Sequence, residues 1–256
     1  MRSCILAGII LVGMPSSVLA AEQSIMPTDE PYDWSGPYAG VSIGYGWGKS
    51  DFHDAEYNVA LPVYPPYDVR VSSDGVVAGL HAGYNWQQGS VVFGIEGEVG
   101  FLNLKGSAYP APDPFGIPYD TRGIVKADWN TAITGRLGIA SDRTLFFAKG
   151  GAAYSGGKFS FVDECIGDFV NPPGCGPSTY DARKTFGFGY VLGAGVEHAV
   201  DDRWSVKLDY SYLAFGKQKA SAVVGGDPSG GYYGQEKSVE ADLTAQAVKF
   251  SINYHF

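Results

Sequence analysis

Long apolar runs are missing from all but the start of this 256-residue chain. Beyond the first twenty residues, every stretch breaks at Gly, Pro or a charge well short of the about 18 apolar residues a membrane helix needs, so no helical span is expected. Basic charge is also scarce. With 18 Lys+Arg against 27 Asp+Glu and a net charge of −9, the chain lacks the basic patches on which nucleic-acid binding depends. Helical periodicity is absent over any long window. Cysteine and methionine number 3 each, against 36 Gly, 17 Tyr and 14 Phe. Glycine and aromatics in such amounts suit many strands and tight turns.

The opening residues point to a compartment. Arg2 supplies one positive charge, an apolar run follows from Ile5 to Met14, and Val18, Ala20 and Ala21 are small residues at a cleavage position. That order reads as a secretory signal peptide over residues 1–20. Residues 21–33, with Pro27 and Pro31, are expected to form a short periplasmic tail, and residues 34–256 the folded domain. Cys4 leaves with the signal. Cys165 and Cys175 remain, in a Pro/Gly-rich stretch without histidine. In an exported protein such a pair is expected to form a disulfide, and a metal site would need more ligands.

What the chain has in quantity is alternation. Eight segments carry an apolar residue at every second position, and no apolar face contains Asp, Glu, Lys or Arg. Val41, Ile43, Tyr45 and Trp47 form one such face, and Leu80, Tyr84 and Trp86 the next. Then come Val91, Phe93, Ile95 and Phe101; Trp129, Ile133, Leu137 and Ile139; Phe146, Ala148, Ala152 and Tyr154. The last three are Phe186, Phe188, Tyr190 and Leu192; Trp204, Leu208, Tyr210 and Tyr212; and Val248, Phe250, Ile252, Tyr254 and Phe256. Each segment has the roughly 9–11 residues of a membrane strand. The fifth is apolar on both faces; Phe146 is placed outward because the other choice puts Lys149 in lipid. The opposite faces hold Glu96, Glu98, Asp128, Arg136, Lys149, Glu197, Lys207, Asp209 and Lys249 among Gly and Ser.

A soluble sandwich would turn the apolar faces inward. Two features favour lipid outside: the polar faces are rich in small residues, which suits a crowded lumen, and aromatics gather at segment ends like membrane girdles. Short links at 87–90, 141–143 and 199–203 alternate with links of roughly twenty residues or more, the outer-membrane arrangement with long loops outside the cell. The expected fold is all-β: an eight-stranded antiparallel up-and-down transmembrane β-barrel with four long extracellular loops, in a Gram-negative outer membrane.

Trp34-Ser35-Gly36-Pro37-Tyr38-Ala39-Gly40, running into Gly44-Tyr45-Gly46-Trp47-Gly48, resembles the first strand of the small alphaproteobacterial outer-membrane barrels called the outer immunogenic protein or porin-like family. The closing Val248-Lys249-Phe250-Ser251-Ile252-Asn253-Tyr254-His255-Phe256 resembles the signal read by the barrel-assembly machinery, with Val248, Phe250, Ile252, Tyr254 and Phe256 as its alternating residues. The resemblance covers the mature chain. It implies an abundant surface antigen with roles in envelope integrity and host contact, and some relatives are described as haemin-binding.

The candidate chemistry lies in two places. An eight-stranded barrel is only wide enough to be filled by side chains, so its nine lumen charges are expected to form an ion-pair network, with a narrow porin-like pathway as the alternative. Glu96 and Glu98 share a face but point into that crowded interior, which disfavours acid–base catalysis. His81 faces inward without an identifiable serine partner, His198 and His255 are expected at the interface, and His53 lies between Asp51 and Asp54, three ligands too loosely spaced to mark a metal site. No enzyme, cofactor or metal is expected. The loops carry Tyr57, Tyr64, Tyr67, Tyr109, Phe115 and Tyr119 among prolines, a combination suited to recognition of a host molecule or haemin.

Overall fold

The computed structural model describes residues 32–54, 68–112, 121–163, 180–223, 234 and 236–256. Eight strands follow in chain order: β1 Gly36–Asp54, β2 Asp68–Gln88, β3 Val91–Ala108, β4 Thr121–Ser141, β5 Thr144–Asp163, β6 Tyr180–Ala199, β7 Trp204–Val223 and β8 Glu236–His255. Each pairs antiparallel with the next, and β1 pairs with β8 to close the barrel. Closure removes the free sheet edges, which is what lets a β-structure cross a bilayer with its backbone polar groups satisfied.

The short connections have the turn chemistry they require. Gly89 (φ 61°) and Asp142 (φ 51°) take the left-handed backbone that two-residue hairpin turns demand. In the third turn, Asp201 Oδ1 accepts from the backbone N–H groups of Arg203 and Trp204, both at 2.7 Å. Those two bonds hold the Asp201 carboxyl below the usual carboxylate range. A depressed folded pKa means that the turn's contribution is present above the unfolded value and is lost as pH falls through the folded one. An NMR titration should therefore show Asp201 protonating at lower pH than an ordinary aspartate, and Asp201→Asn should abolish that step. A midpoint at the ordinary value would contradict the turn geometry.

The strands are 18–21 residues long, about twice the expected length. The reason is visible on β3. Its outward residues are apolar from Val91 to Phe101 and then become Asn103, Lys105 and Ser107, while its inward residues change from Glu96 to Leu102 and Leu104. The apolar outer face ends, but the chain stays extended. Polarity inverts at that level, so a membrane barrel continues as a water-exposed collar with an apolar core. Phe52, Val69, Val71, Leu104, Val125, Phe159, Phe161, Phe186, Phe215 and Leu243 fill the collar. The links expected to be loops are thereby reduced to residues 55–67, 109–120, 164–179 and 224–235.

The register shifts near this boundary, between Phe101 and Leu104, Lys126 and Asn130, Ser155 and Lys158, and Ala214 and Lys217. An extra residue in a ladder leaves two neighbours on one face. Two expectations fail for this reason. Asp128, assigned to the lumen, is exposed beside the exposed Trp129. Phe186, assigned to the lipid face, is fully buried and lies 5.3 Å from the Phe159 ring, because left-handed Gly187 (φ 76°) reverses the alternation of β6.

Candidate functional site

Inward-facing side chains fill the barrel in three levels. The level at the short-turn end is aromatic. Trp34 is fully buried, and its backbone N–H donates to Gln87 Oε1 at 2.7 Å. Tyr32 packs edge-on against it at 4.8 Å, and His255 lies 5.7 Å from Trp34 and 5.6 Å from Tyr38. Val92, Leu145, Phe147 and Ala199 complete the plug. Only Tyr32 and Asp33 of the expected tail lie among the described residues, and Tyr32 belongs to this plug. Burial, with the Glu197, Asp202 and Asp201 carboxylates nearby, pushes the Tyr32 phenol up to about 12.

The middle level holds the charges. β3 brings Glu96 and Glu98, β4 Arg136, β5 Lys149, β6 Glu197, β7 Lys207 and Asp209, and β8 Lys249. Lys207 Nζ donates to Glu96 Oε2 at 2.8 Å, and Tyr38 Oη donates to the same oxygen at 2.9 Å. Lys149 Nζ lies 2.9 Å from Asp209 Oδ2 and 3.7 Å from Glu96 Oε1. Lys249 pairs with Glu98. Arg136 donates through Nη1 to Glu197 Oε2 at 3.0 Å and through Nε to Asn85 Oδ1 at 2.8 Å, and its guanidinium lies 4.6 Å from the Tyr38 ring centre. Glu197 also accepts from Ser205 Oγ and Asn253 Nδ2, each at 2.6 Å.

With Asp128 outside, four carboxylates face four cations. The balance is physically necessary: taking charges out of water costs on the order of several kcal/mol per ion, which only a close partner with further hydrogen bonds offsets. Sequence reading missed the neutral members of this network: Tyr38, Asn85, Ser205 and Asn253. All four lie on the inward faces, so the signal was available; alternation alone does not separate an uncharged network member from lumen filler. His81 bonds Asn253 Oδ1 at 2.7 Å. His255, expected at the interface, is buried 3.1 Å from Ser205 Oγ, because the Tyr32–Trp34 segment covers the barrel mouth above it. His53 Nδ1 faces Asp68 Oδ1 at 2.7 Å on the exposed collar, and no cluster of three possible metal ligands occurs among the described residues.

The third level is the apolar collar core. Where it meets the charges, a cavity of ≈ 20 Å³ is lined by Val77, Glu98, Leu102, Lys149, Leu213 and Lys249. That is room for about one water. Of the aromatic loop residues, Tyr109 is exposed, with the Arg122 guanidinium 5.9 Å from its ring centre. Tyr57, Tyr64, Tyr67, Phe115, Tyr119, Cys165, Cys175 and the expected signal peptide lie outside the described residues.

Outside, the belt is apolar all round. Leu80, Ile95, Ile133, Leu137, Leu192 and Ile252 are exposed at mid-belt. Trp86 stacks on Phe93, and Trp204 meets Tyr254, at one edge; Trp129, Tyr154 and Phe188 pack together at the other. Val248, Phe250 and Ile252 face outward with the belt, and Phe256 is 79% exposed. A closed barrel with an apolar exterior, aromatic edges and an ion-paired interior is a membrane-spanning β-barrel of the outer-membrane class. Residues 9–256 match the family model described as the outer membrane protein beta-barrel domain, and the chain belongs to that family. It is 28% identical to the 31 kDa outer-membrane immunogenic protein of Brucella melitensis biotype 1, over 100% of both chains. It is 29% identical to the 22 kDa outer membrane protein of Rhizobium leguminosarum bv. viciae, over 67% of this chain and 64% of that one. Among solved structures, the outer membrane protein OprG from Pseudomonas aeruginosa is similar at 12% identity and a TM-score of 0.46, covering 87% of this chain and 98% of that one. The protein is located in the bacterial outer membrane.

Proposed function

We propose that this protein is a structural, envelope-stabilising barrel that presents its loops at the cell surface, with neither a conducting lumen nor a catalytic role. The observation that carries this reading is the filling of the interior at three successive levels: the Trp34 plug, the ion-pair layer and the apolar collar core. A hydrated pathway would have to break buried ion pairs and wet an apolar core, both strongly unfavourable. The relatives' designation as outer-membrane immunogenic proteins supports the surface-presenting half of the reading. Recognition of the last strand by the assembly machinery belongs to the same proposal. The exposed Phe256, anchored through its N–H to Pro37 O at 3.1 Å, is available to be read from outside.

Planar-bilayer recording tests the closed lumen. The refolded protein is expected to give no discrete conductance steps. Steady steps whose size changes in Arg136→Gln would establish the porin-like alternative and end the structural reading.

A further inference from the structure

Three lysines stand side by side on the outside of the collar. The register pairs Lys105 with Lys126 and Lys126 with Lys158, so β3, β4 and β5 present one cross-strand row. All three are exposed, and among the described residues none makes an ion pair. Neighbouring strands are about 4.8 Å apart, which brings three ammonium-bearing side chains within roughly 10 Å. Like charges directly opposite each other are destabilising, so the bare arrangement is unfavourable without an anion. The described acids nearest the row, Asp74 and Asp128, offset part of its charge, but neither forms an ion pair with a lysine in it. Asp74, opposite Lys105, accepts the Tyr45 hydroxyl, and the single carboxylate of Asp128 sits in the bulge of β4. On β6 the neighbouring Arg183 is paired with Asp181, while Lys184 is exposed.

Two further observations say what anion belongs there. An open groove of ≈ 420 Å³ between β3 and β4, at one end of the row, is lined by Lys105, Ser107, Arg122, Ile124 and Lys126. Its height is set by the girdle. Lys105 follows Phe101, and Lys158 follows Tyr154, by two outward positions on their strands. The row therefore lies just beyond the aromatic edge of the belt, on the extracellular side, where lipid headgroups begin.

We propose that Lys105, Lys126 and Lys158, with Arg122 and Ser107 in the groove, bind the phosphorylated headgroup of an outer-leaflet glycolipid whose acyl chains lie against Trp129, Tyr154 and the belt below. The lysines supply point charges for phosphate oxygens and Arg122 a planar donor fork. Ser107 offers a hydroxyl to the sugar. The aromatic edge beneath sets the row at headgroup height, where an anion anchored in the membrane is held at high local concentration.

The test uses the refolded full chain in phosphatidylcholine vesicles doped with a bisphosphorylated acylated disaccharide or with its dephosphorylated counterpart. Glycolipid retained through solubilisation and purification is measured by mass spectrometry. Wild type is expected to retain the phosphorylated form and not the dephosphorylated one. The triple variant K105Q/K126Q/K158Q should lose roughly tenfold or more in retention, given the attraction of each Lys to an anionic surface. The single variant K126Q should lose part of it, and K217Q, on β7 away from the groove, none. Equal retention by the triple variant, or of the dephosphorylated lipid, overturns the proposal. Displacement of the glycolipid by equimolar inorganic phosphate overturns the lipid assignment. If the triple variant fails to fold, K126Q decides, and its retaining as much lipid as wild type counts against the site.

Discussion

Glu96→Gln is expected to lower the unfolding free energy of the barrel by about 3–5 kcal/mol. Glu96 is the centre of the lumen network: it accepts from Lys207 and Tyr38 and lies within ion-pair distance of Lys149. Glutamine keeps the shape but removes the charge, so two buried ammonium groups lose a counter-ion in a region with little water to replace it. The penalty of an uncompensated buried charge exceeds the net worth of the pair that is lost. Urea titration in lipid vesicles, followed by tryptophan fluorescence and by the mobility of boiled and unboiled samples, measures the change. Removing Lys207 as well, in Glu96→Gln/Lys207→Met, should recover part of the loss, because charge balance is restored. A loss below about 1 kcal/mol in the single variant would mean that solvent reaches the network, and the closed lumen would fall with it.

Ile133→Arg is expected to cost about 2–4 kcal/mol, and Val223→Arg less than about 0.5 kcal/mol. Both side chains point outward and both are largely accessible, at 72% and 62%. Accessibility cannot tell them apart; the surrounding medium can. Ile133 lies on β4 below the bulge, in the middle of the belt, where an arginine must shed its hydration or distort the bilayer. Val223 ends β7 in the collar, where water is on the outside and an arginine is an ordinary surface residue. The same titration reads both variants. Similar costs at the two positions would show that the polarity inversion does not mark the membrane boundary.

The eight lipid-facing segments and their outward faces were legible because alternation is a local pattern and lipid tolerates no charge on one face. Eight of the nine lumen charges face the interior for the same reason. Asp128 and Phe186 were not legible. A bulge adds one residue without changing composition, and Gly187 looks in sequence like any strand glycine, so nothing local announces that the faces exchange there. Strand length failed for a different cause. The membrane-strand pattern ends where the apolar outer face ends, although the collar continues the alternation with its polarity reversed, Leu102 and Leu104 inward and Lys105 outward. Tyr32 was assigned to a tail because its burial depends on Trp34 and His255, and His255 is a residue distant in sequence that only closure of the barrel brings near.

The inverted collar also means that one continuous sheet is held together by two different solvents. Below the bulges, the driving force is the exclusion of backbone and charge from hydrocarbon. Above them, Phe52, Phe159, Phe186 and Phe215 are held by expulsion of water, an interaction that weakens on cooling. The two halves of each strand therefore respond differently to temperature. On chilling, the collar loosens first while the belt stays closed, so hydrogen exchange near the loops becomes a thermometer that the membrane-embedded half of the same strands does not follow.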